Sequence, residues 1–290
     1  MPFTWVVLGD QLDKPAEGLI DGIIRAKPAF AVDVGDVVFQ SRLDQFATVK
    51  KLVLDPLARA GIRLYPAIGN HDFPVQPHWF EFWEPPADKP YYSLEYGNSR
   101  FIILDTNRAF LDECGRSEDL EFAPGSEEYA IQTQSASFQP GSAQYEWLVR
   151  ELESRSRHVF VFFHEPAFSF GGHESSLAIQ RVLCPLFERY RVTAAFSGHA
   201  HGYERFLPLR VELSSGAPVA VPDERDGVVY IVTAGGGLPI YDIVPDATHA
   251  AIAEAFHFVR VTVHGDTVSC FAMEAKTGEV LDAFELTSRR

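Results

Sequence analysis

Short hydrophobic runs alternate with polar clusters through the first two thirds of the chain. Five of these runs end directly before a cluster that carries candidate ligands, namely Gly9-Asp10, Gly35-Asp36, Gly69-Asn70, His164 and Gly198-His199. A short apolar run bounded by turn residues is typical of a buried strand. Open α/β sheets carry their binding residues beyond the carboxyl ends of the strands. The pattern therefore predicts five buried strands that deliver these side chains to one edge of a sheet.

Other segments have the spacing of helices and of a hairpin. Residues 16–28, 43–61 and 144–152 have the amphipathic pattern of helices that cover a sheet. Residues 91–105 alternate apolar and polar side chains around Gly97-Asn98, which predicts a β-hairpin.

Two segments have no clear period. Residues 73–90 are rich in aromatic residues and proline, and they favour a packed loop, with an apolar wall beside the site as the alternative. Residues 109–135 are acidic, which is typical of a solvated loop, with a lid over the site as the alternative.

After residue 205 the pattern consists mainly of strand-like runs. A short helix is expected only at 248–255, and Gly235-Gly236-Gly237 lacks the Lys and Ser/Thr of a phosphate loop, which favours close backbone packing or a turn. The strand-like runs are 228–232, 256–263, 268–273 and 280–286. This succession predicts a second sheet. Two facing mixed sheets with helices outside give a four-layer α/β/β/α sandwich, and we expect residues 1–290 to form a single domain.

Composition narrows the functional classes. The net charge of −15 argues against general nucleic-acid binding, which needs a basic surface. An acidic protein can still bind a phosphate ester if metal cations dominate the local field. No apolar stretch reaches the roughly 20 residues of a membrane span, and the first residues lack the pattern of a secretory signal. The three cysteines are far apart and odd in number. We therefore expect reduced thiols, a cytoplasmic protein and no membrane partner.

The polar clusters resemble, in type and order, the motifs of the calcineurin-like metallophosphoesterase family. The resemblance rests on Asp10, Gly35-Asp36, Gly69-Asn70-His71-Asp72, His164 and Gly198-His199-Ala200-His201. It implies the α/β/β/α fold and two divalent or mixed-valence metal ions (Mn, Zn or Fe). By resemblance, Asp36 bridges both ions, Asn70, His164 and His199 bind the second, and Asp10 and His201 bind the first.

The resemblance also implies a reaction, the hydrolysis of small phosphate esters by a metal-bound hydroxide. Two cations activate water and hold the phosphoryl oxygens. His71 would protonate the leaving oxygen or stabilise the transition state, with Asp72 fixing its orientation. His173 and Tyr203 are candidate substrate-binding residues. An exposed loop histidine explains His173 equally well, and Tyr203 can instead support its strand.

Two positions depart from the family pattern. Leu12 stands where the first motif usually has a metal-binding His, so that Gln11, Asp13 or a water would have to fill the place. Residues 198–205 resemble the Gly-His-x-His-x-Tyr-Glu-Arg run of the purple acid phosphatases, yet Phe39 replaces their iron-binding tyrosine. The alternative function is therefore a binding or scaffold protein with an incomplete first metal site.

The sequence slightly favours phosphodiesters over phosphomonoesters. A monoester carries more negative charge than a diester and needs more cationic groups around it. Near the motifs only Arg42, Arg205 and the histidines are available. The aromatic residues 79–83 could hold an apolar or nucleoside part of such a diester.

Overall fold

The computed structural model describes residues 1–40, 42–73, 79, 82–83, 89–113, 123, 126–214, 216–237 and 239–288. Its strands in chain order are β1 Phe3–Leu8, β2 Phe30–Asp33, β3 Arg63–Pro66, β4 Tyr92–Tyr96, β5 Ser99–Ile103, β6 His158–Phe162, β7 Ala194–Ser197, β8 Tyr203–Phe206, β9 Leu209–Glu212, β10 Val219–Pro222, β11 Val229–Thr233, β12 His249–Ala253, β13 His257–His264, β14 Thr267–Glu274 and β15 Val280–Thr287. Its α-helices are α1 Leu19–Ala26, α2 Leu43–Val49, α3 Asp55–Arg59, α4 Arg108–Glu113, α5 Glu127–Gln134, α6 Ala143–Leu152, α7 Leu177–Val182 and α8 Cys184–Arg189.

The strands form two large mixed sheets and one small hairpin. The first sheet has the order β15-β14-β13-β1-β2-β3, and the second has the order β12-β8-β11-β7-β6-β5-β4. In the first sheet β1, β2 and β3 are parallel, and in the second β5, β6, β7 and β11 are parallel. The carboxyl ends of two parallel strand groups are therefore available for one site.

The two sheets face each other through an aromatic core. Trp5 of β1 is fully buried, and its ring lies 5.1–5.5 Å from the rings of four phenylalanines of the second sheet. These partners are Phe101, Phe160, Phe162 and Phe196. Because side chains alternate along a strand, the intervening residues of β6 point to the opposite face.

That opposite face carries its own hydrophobic cluster with the helices. Val159 and Val161 of β6 pack there with Leu148 of α6, and with Leu183 and Phe187 from the α7–α8 region. On the other side of the molecule, Leu19 and Ile23 of α1 are buried next to β13. The arrangement confirms the predicted α/β class with two mixed sheets and flanking helices.

The sheet assignment of the strands differs from the prediction. The five ligand-bearing strands do not belong to one sheet, because β1, β2 and β3 lie in the first sheet and β6 and β7 in the second. The strands after residue 205 do not form one common sheet: β9 and β10 pair only with each other in the small hairpin. β11 and β12 extend the second sheet, and β13, β14 and β15 extend the first. Periodicity identifies a strand but does not specify which strand it pairs with.

Two local predictions were wrong. Residues 248–255, expected as a helix, contain β12, which pairs antiparallel with β8 and so forms an edge strand of the second sheet. The alanine-rich sequence favours a helix, but strand pairing overrides this weak preference. The acidic segment 109–135, expected as a solvated loop, contains most of helix α4 and all of helix α5, while its residues 114–122, 124 and 125 lie outside the described residues. Leu111 and Ala130 are buried in the core, which gives both helices a packed face.

The other helical and hairpin predictions agree with the structure. Helix α1 lies within 16–28, a π-helical stretch Lys50–Leu54 joins α2 to α3 within 43–61, and α6 matches 144–152. Strands β4 and β5 form the expected hairpin. Most of segment 73–90 lies outside the described residues. Of its described aromatics, Trp79 is buried in the core, and Phe82 and Trp83 are partly buried and pack against the core.

The part of the chain that the structure describes contains no helix that is both long and apolar enough to cross a membrane.

Candidate metal centre

The predicted ligands meet where the carboxyl ends of the two sheets approach each other. Asp10 follows β1, Asp36 follows β2, and Asn70 starts a short 3-10 helix, Asn70–Asp72, after β3. From the second sheet, His164 follows β6, and His199 and His201 follow β7. A cavity of about 380 Å³ opens at this meeting point. Its described lining residues are Leu12, Asp36, Phe39, Asn70, His71, Phe110, His173, His199, His201, Pro239 and Tyr241.

Three of the predicted ligands have a left-handed backbone conformation. Asp10 has φ 60°, Asp36 φ 54° and His199 φ 68°, in a region that costs non-glycine residues energy. Such strain persists only where the surroundings hold it in place, and it is often found at functional sites.

Asp72 holds the turn that carries Asp36. Its carboxylate accepts hydrogen bonds from the backbone N–H groups of Asp36, Val37, Val38 and Gly69 at 2.9–3.2 Å. Gly69 must be glycine, because a Cβ there would lie 2.3 Å from the Asp36 nitrogen. Asp72 therefore fixes the position of Asp36 through the backbone. Its expected role in orienting His71 stays a prediction.

The residues expected to bind the second metal form a compact group of acceptors. Asp36, His164 and His199 each offer a ligand atom, and these atoms lie within 4.8 Å of one another. The His164 Nδ1 lies 2.9 Å from the Val34 carbonyl oxygen and donates its proton there. Its Nε2 lies 3.0 Å from Asn70 Oδ1 and 3.3 Å from Asp36 Oδ2.

In the neutral ring this leaves the lone pair of Nε2 facing two oxygen acceptors. Three lone pairs repel one another unless a proton or a metal cation lies between them. Burial lowers the pKa of His164, but Asp36, followed by Asp10, raises it well above its usual value. The same negative field that would protonate His164 favours a bound metal cation, so the residues fit the second site.

The residues expected to bind the first metal also fit, with one ligand fewer. Asp10 is fully buried, and its Oδ1 accepts a hydrogen bond from the His199 N–H at 2.8 Å. Its Oδ2 is buried and has no hydrogen-bond partner among the described residues. His201 Nδ1 donates to the Pro239 carbonyl oxygen at 3.1 Å, which leaves Nε2 free 3.7 Å from Asp10 Oδ1.

Leu12 takes up the place of the missing ligand. It lines the cavity and is buried, although it also has a left-handed φ of 47°. The Gln11 Nε2 donates to Asp33 Oδ2 at 2.8 Å, and its Oε1, the atom that could bind a metal, is buried without a hydrogen-bond partner among the described residues. Neither Gln11 nor Asp13 is among the described residues that line the cavity.

The expected catalytic and substrate-binding residues have different positions. His71 and His173 both line the cavity, and the His173 ring lies 3.8 Å from that of His199. Tyr203, expected to bind substrate, is fully buried, and its hydroxyl donates to Asp282 of β15 at 2.8 Å. The substrate-binding expectation for Tyr203 is thus corrected, because the strand period turns its side chain toward the other sheet.

Two aromatic residues at the site, Tyr241 and Phe110, were not foreseen from the sequence. Tyr241 lines the cavity, and its ring stacks on His201 at 4.5 Å with an interplanar angle of 2°. Phe110 of α4 lies edge-on to His199 at 5.8 Å. A sequence signal existed for Tyr241, which comes soon after the buried strand β11 and the glycine run. Gly236 of that run donates its N–H to the Gly9 carbonyl oxygen at 2.9 Å.

A family model described as calcineurin-like phosphoesterase matches residues 9–203. Acid phosphatase A of Cryphonectria parasitica is 26% identical over 211 residues, which cover 69% of this chain and 39% of the fungal protein. A nucleotide pyrophosphatase/phosphodiesterase of Hordeum vulgare is 22% identical over 216 residues, which cover 68% of this chain and 50% of the barley protein. The chain thus spans half or less of the length of these relatives.

Among solved structures, a purple acid phosphatase from yellow lupin (Lupinus luteus) seeds has a TM-score of 0.70 at 18% identity. The match covers 99% of this chain and 54% of the lupin chain. At this identity the similarity shows a shared fold, consistent with the two-sheet architecture described above.

Proposed function

We propose that this chain, which belongs to the calcineurin-like phosphoesterase family, is a metal-dependent hydrolase of small phosphate esters with a dinuclear site. The observation that carries the proposal is the meeting of acceptor atoms around His164. Its Nε2 faces Asn70 Oδ1 and Asp36 Oδ2 at 3.0 and 3.3 Å while its Nδ1 donates to a backbone carbonyl. Such an arrangement is stable when a cation is shared between the three atoms.

The chain offers ligands for two ions. Asn70, His164 and His199 would hold the second ion, Asp10 and His201 the first, and Asp36 both. Neutral imidazoles together with carboxylate and amide oxygens suit manganese, zinc or iron. Two such ions supply an activated water and neutralise the charge of the phosphoryl oxygens.

The remaining residues would handle the proton and the substrate. His71 lines the cavity beside Asp36, whose Oδ1 accepts the His71 backbone N–H at 3.0 Å. Its imidazole can protonate the leaving oxygen of the ester, and His173 can donate a hydrogen bond to the phosphate.

Diesters are the favoured substrates because the cavity is poor in fixed cations. None of its described lining residues is Lys or Arg. Arg42 pairs with Asp44 on the surface, and Arg205 pairs with Asp282 at 2.6 Å. The name of the barley relative agrees with a diesterase, whereas that of the fungal relative agrees with a phosphomonoesterase.

The second candidate is a protein that keeps the fold and binds ligands with little turnover. Leu12 favours this candidate because it removes one ligand of the first metal. We also propose a reduced, cytoplasmic compartment, since Cys184 and Cys270 are free buried thiols. Small phosphate esters, rather than nucleic acids in general, are the proposed partners.

Metal analysis combined with an assay separates the two candidates. The purified protein is stripped with a chelator and reloaded with Mn²⁺, Zn²⁺ or Fe²⁺, then assayed with 4-nitrophenyl phosphate and bis(4-nitrophenyl) phosphate. Loss of turnover in the stripped protein and recovery with metal are expected, with the higher kcat/KM for the diester. Full turnover without metal would overturn the metal-dependent mechanism, and metal-loaded protein without turnover would favour the binding protein.

A further inference from the structure

We propose that Phe39 is an aromatic platform at the cavity mouth that stacks on a flat group of the substrate, such as a phenyl ring or a nucleobase. The inference rests on the proposed function and names the class of ester that the site selects. In residues 79–83, which the sequence suggested for this role, Trp79 is buried in the core, and Phe82 and Trp83 are partly buried against it.

The position of Phe39 is unusual for a large apolar side chain. Its ring stacks on His71 with 5.2 Å between centroids and an interplanar angle of 23°. The side chain nevertheless stays 43% exposed and lines the cavity. One part of the ring is therefore covered by the imidazole, and another part remains open to a ligand beside the expected leaving oxygen.

The backbone before Phe39 explains why the ring points outward. The Val37 and Val38 N–H groups donate to Asp72, and both valine side chains are fully buried. The turn after β2 is thus fixed up to residue 38, and the chain emerges at the surface with Phe39. The ring is presented by a rigid support, which lowers the entropy cost of binding a ligand on it.

The rest of the cavity wall favours an apolar aromatic group over further charge. The described lining residues include no Lys or Arg that could hold additional phosphates. Phe110 and Tyr241 provide further aromatic surface, packed on His199 and His201. The volume of about 380 Å³ falls within the usual range of about 300–1,000 Å³ for small-molecule sites.

Single exposed apolar residues are common on protein surfaces and need no explanation by themselves. Leu43 and Leu52 are also exposed, at 62% and 42%, but neither is among the cavity-lining residues. Phe39 differs from them because it lies on a site histidine at the cavity mouth. Leu43 therefore provides a matched control for the loss of an exposed apolar side chain near the site.

The test measures binding of three unreactive phosphonates to the Mn²⁺-loaded protein by calorimetry. Methylphosphonate, cyclohexylphosphonate and phenylphosphonate share the anionic head, and the last two are similar in bulk but differ in flatness. The wild-type protein should bind phenylphosphonate about tenfold more tightly than methylphosphonate, with cyclohexylphosphonate in between. Phe39→Ala should reduce this preference to about one, and Leu43→Ala should leave it unchanged.

Three results would overturn the platform: an unchanged phenyl preference in Phe39→Ala, an equal loss of affinity for all three ligands, or equal binding of cyclohexyl and phenyl groups by the wild type. A thermal melt checks that both variants are folded. Failure of the proposed function gives a different result, because protein without turnover on any ester can still show the Phe39-dependent preference. If the protein hydrolyses esters but does not show the Phe39-dependent preference, the proposed function stands and the platform proposal is wrong.

Discussion

Asp36 connects the two halves of the candidate centre. It lies on the first sheet's side, where its Oδ1 accepts the His71 N–H, while its Oδ2 faces His164 of the second sheet at 3.3 Å. Burial raises the pKa of Asp36, but His164, His71 and His199 together lower it overall. Asp36 is therefore ionised at neutral pH and available as a bridging ligand.

Asp36→Ala should remove both metal ions, because the bridging carboxylate belongs to both sites. The metal content, measured by mass spectrometry after dialysis against low metal, should fall from about two ions per chain to below one. Asp44→Asn, which changes an exposed carboxylate nearby, is the control and should keep both ions. Retention of two ions in Asp36→Ala would contradict the bridge.

His71→Ala should keep the metal and lose turnover. A positioned acid or base contributes roughly 10²–10⁴-fold to the rate, and kcat should fall by that factor with the metal content unchanged. The comparison of an ester with a good leaving group and one with a poor leaving group is diagnostic, because the good one needs the proton least. Equal losses on both would argue that His71 binds phosphate rather than transferring a proton.

Leu12→His should strengthen the first metal site. The wild-type site offers Asp10, Asp36 and His201 in this proposal, and an imidazole at position 12 would add a fourth ligand. A calorimetric Mn²⁺ titration should show one tight and one weaker site in the wild type, and two more similar sites in Leu12→His. Two equally tight sites in the wild type would mean that Leu12 does not lower the metal affinity of the first site.

At the residue level the sequence predicted which polar residues meet but not which aromatic residues surround them, and the metal-binding roles of the polar residues stay a prediction. Asp10, Asp36, Asn70, His164, His199 and His201 all lie at the meeting point of the two sheets, because each follows a buried strand. Tyr203 lies on strand β8, and neighbouring residues of a strand point to opposite faces. Its side chain therefore points to the other sheet rather than to the cavity. Tyr241 lies in a loop, whose path no periodic pattern predicts.

The turn after β2 depends on a carboxylate from another loop. Asp72→Ala leaves four backbone N–H groups without their acceptor, those of Asp36, Val37, Val38 and Gly69. Each unsatisfied buried donor costs about 1–3 kcal/mol, although relaxation and water entry reduce the sum. We expect a loss of several kcal/mol in the free energy of unfolding and weaker metal binding, both measured on the same preparation.

Asp72→Asn provides the matched comparison, because it keeps the shape and one acceptor oxygen. It should fall between wild type and Asp72→Ala in both measurements. If metal binding were intact in Asp72→Ala while only turnover fell, the role of Asp72 would be the orientation of His71 instead.

At the element level, strands could be located from the sequence but their partners could not. The run 228–232 and the later runs all have strand patterns, yet β11 pairs parallel with β7 while β13 pairs antiparallel with β1. Hydrophobic periodicity is a local property of a segment. The pairing of a strand depends instead on which edge strand of a sheet is still unpaired at the place that the chain reaches. The helix prediction for 248–255 was wrong for the same reason, because this segment pairs with β8 as strand β12.

At the scale of the whole molecule, side chains that cross between the sheets hold the site together. Tyr203 and Arg205 of the second sheet both donate to Asp282 of the first. Thr233 of β11 and His257 of β13 form a second crossing contact at 3.1 Å. Since half of the proposed ligands come from each sheet, any loosening between the sheets should also weaken metal binding. The shared core supports the expectation of a single domain over 1–290, which stays a prediction.

His257 should make the stability of the two-sheet structure sensitive to mild acid. It is fully buried, and burial lowers its pKa to about 4, only partly opposed by its contact with the Ala255 carbonyl oxygen. In the unfolded chain this histidine has a pKa of about 6.5. Between about pH 6.5 and 4 it is therefore protonated in the unfolded chain and neutral in the folded chain. Stability is therefore retained above the unfolded pKa and decreases as the pH falls from about 6.5 toward 4. Between pH 7 and pH 5 this residue alone should cost about 2 kcal/mol.

The measurement is the free energy of unfolding by urea at pH 7 and pH 5, with chelator present throughout so that metal binding does not contribute. His257→Gln removes the titrating group and should reduce the difference between the two pH values by about 2 kcal/mol, even if it lowers stability at both. His264→Gln, at an exposed position on the same strand, is the control and should leave the difference unchanged. Because Thr233 and His257 join the two sheets, a pH difference in His257→Gln as large as in the wild type would mean that another group makes the sheet contact acid-sensitive.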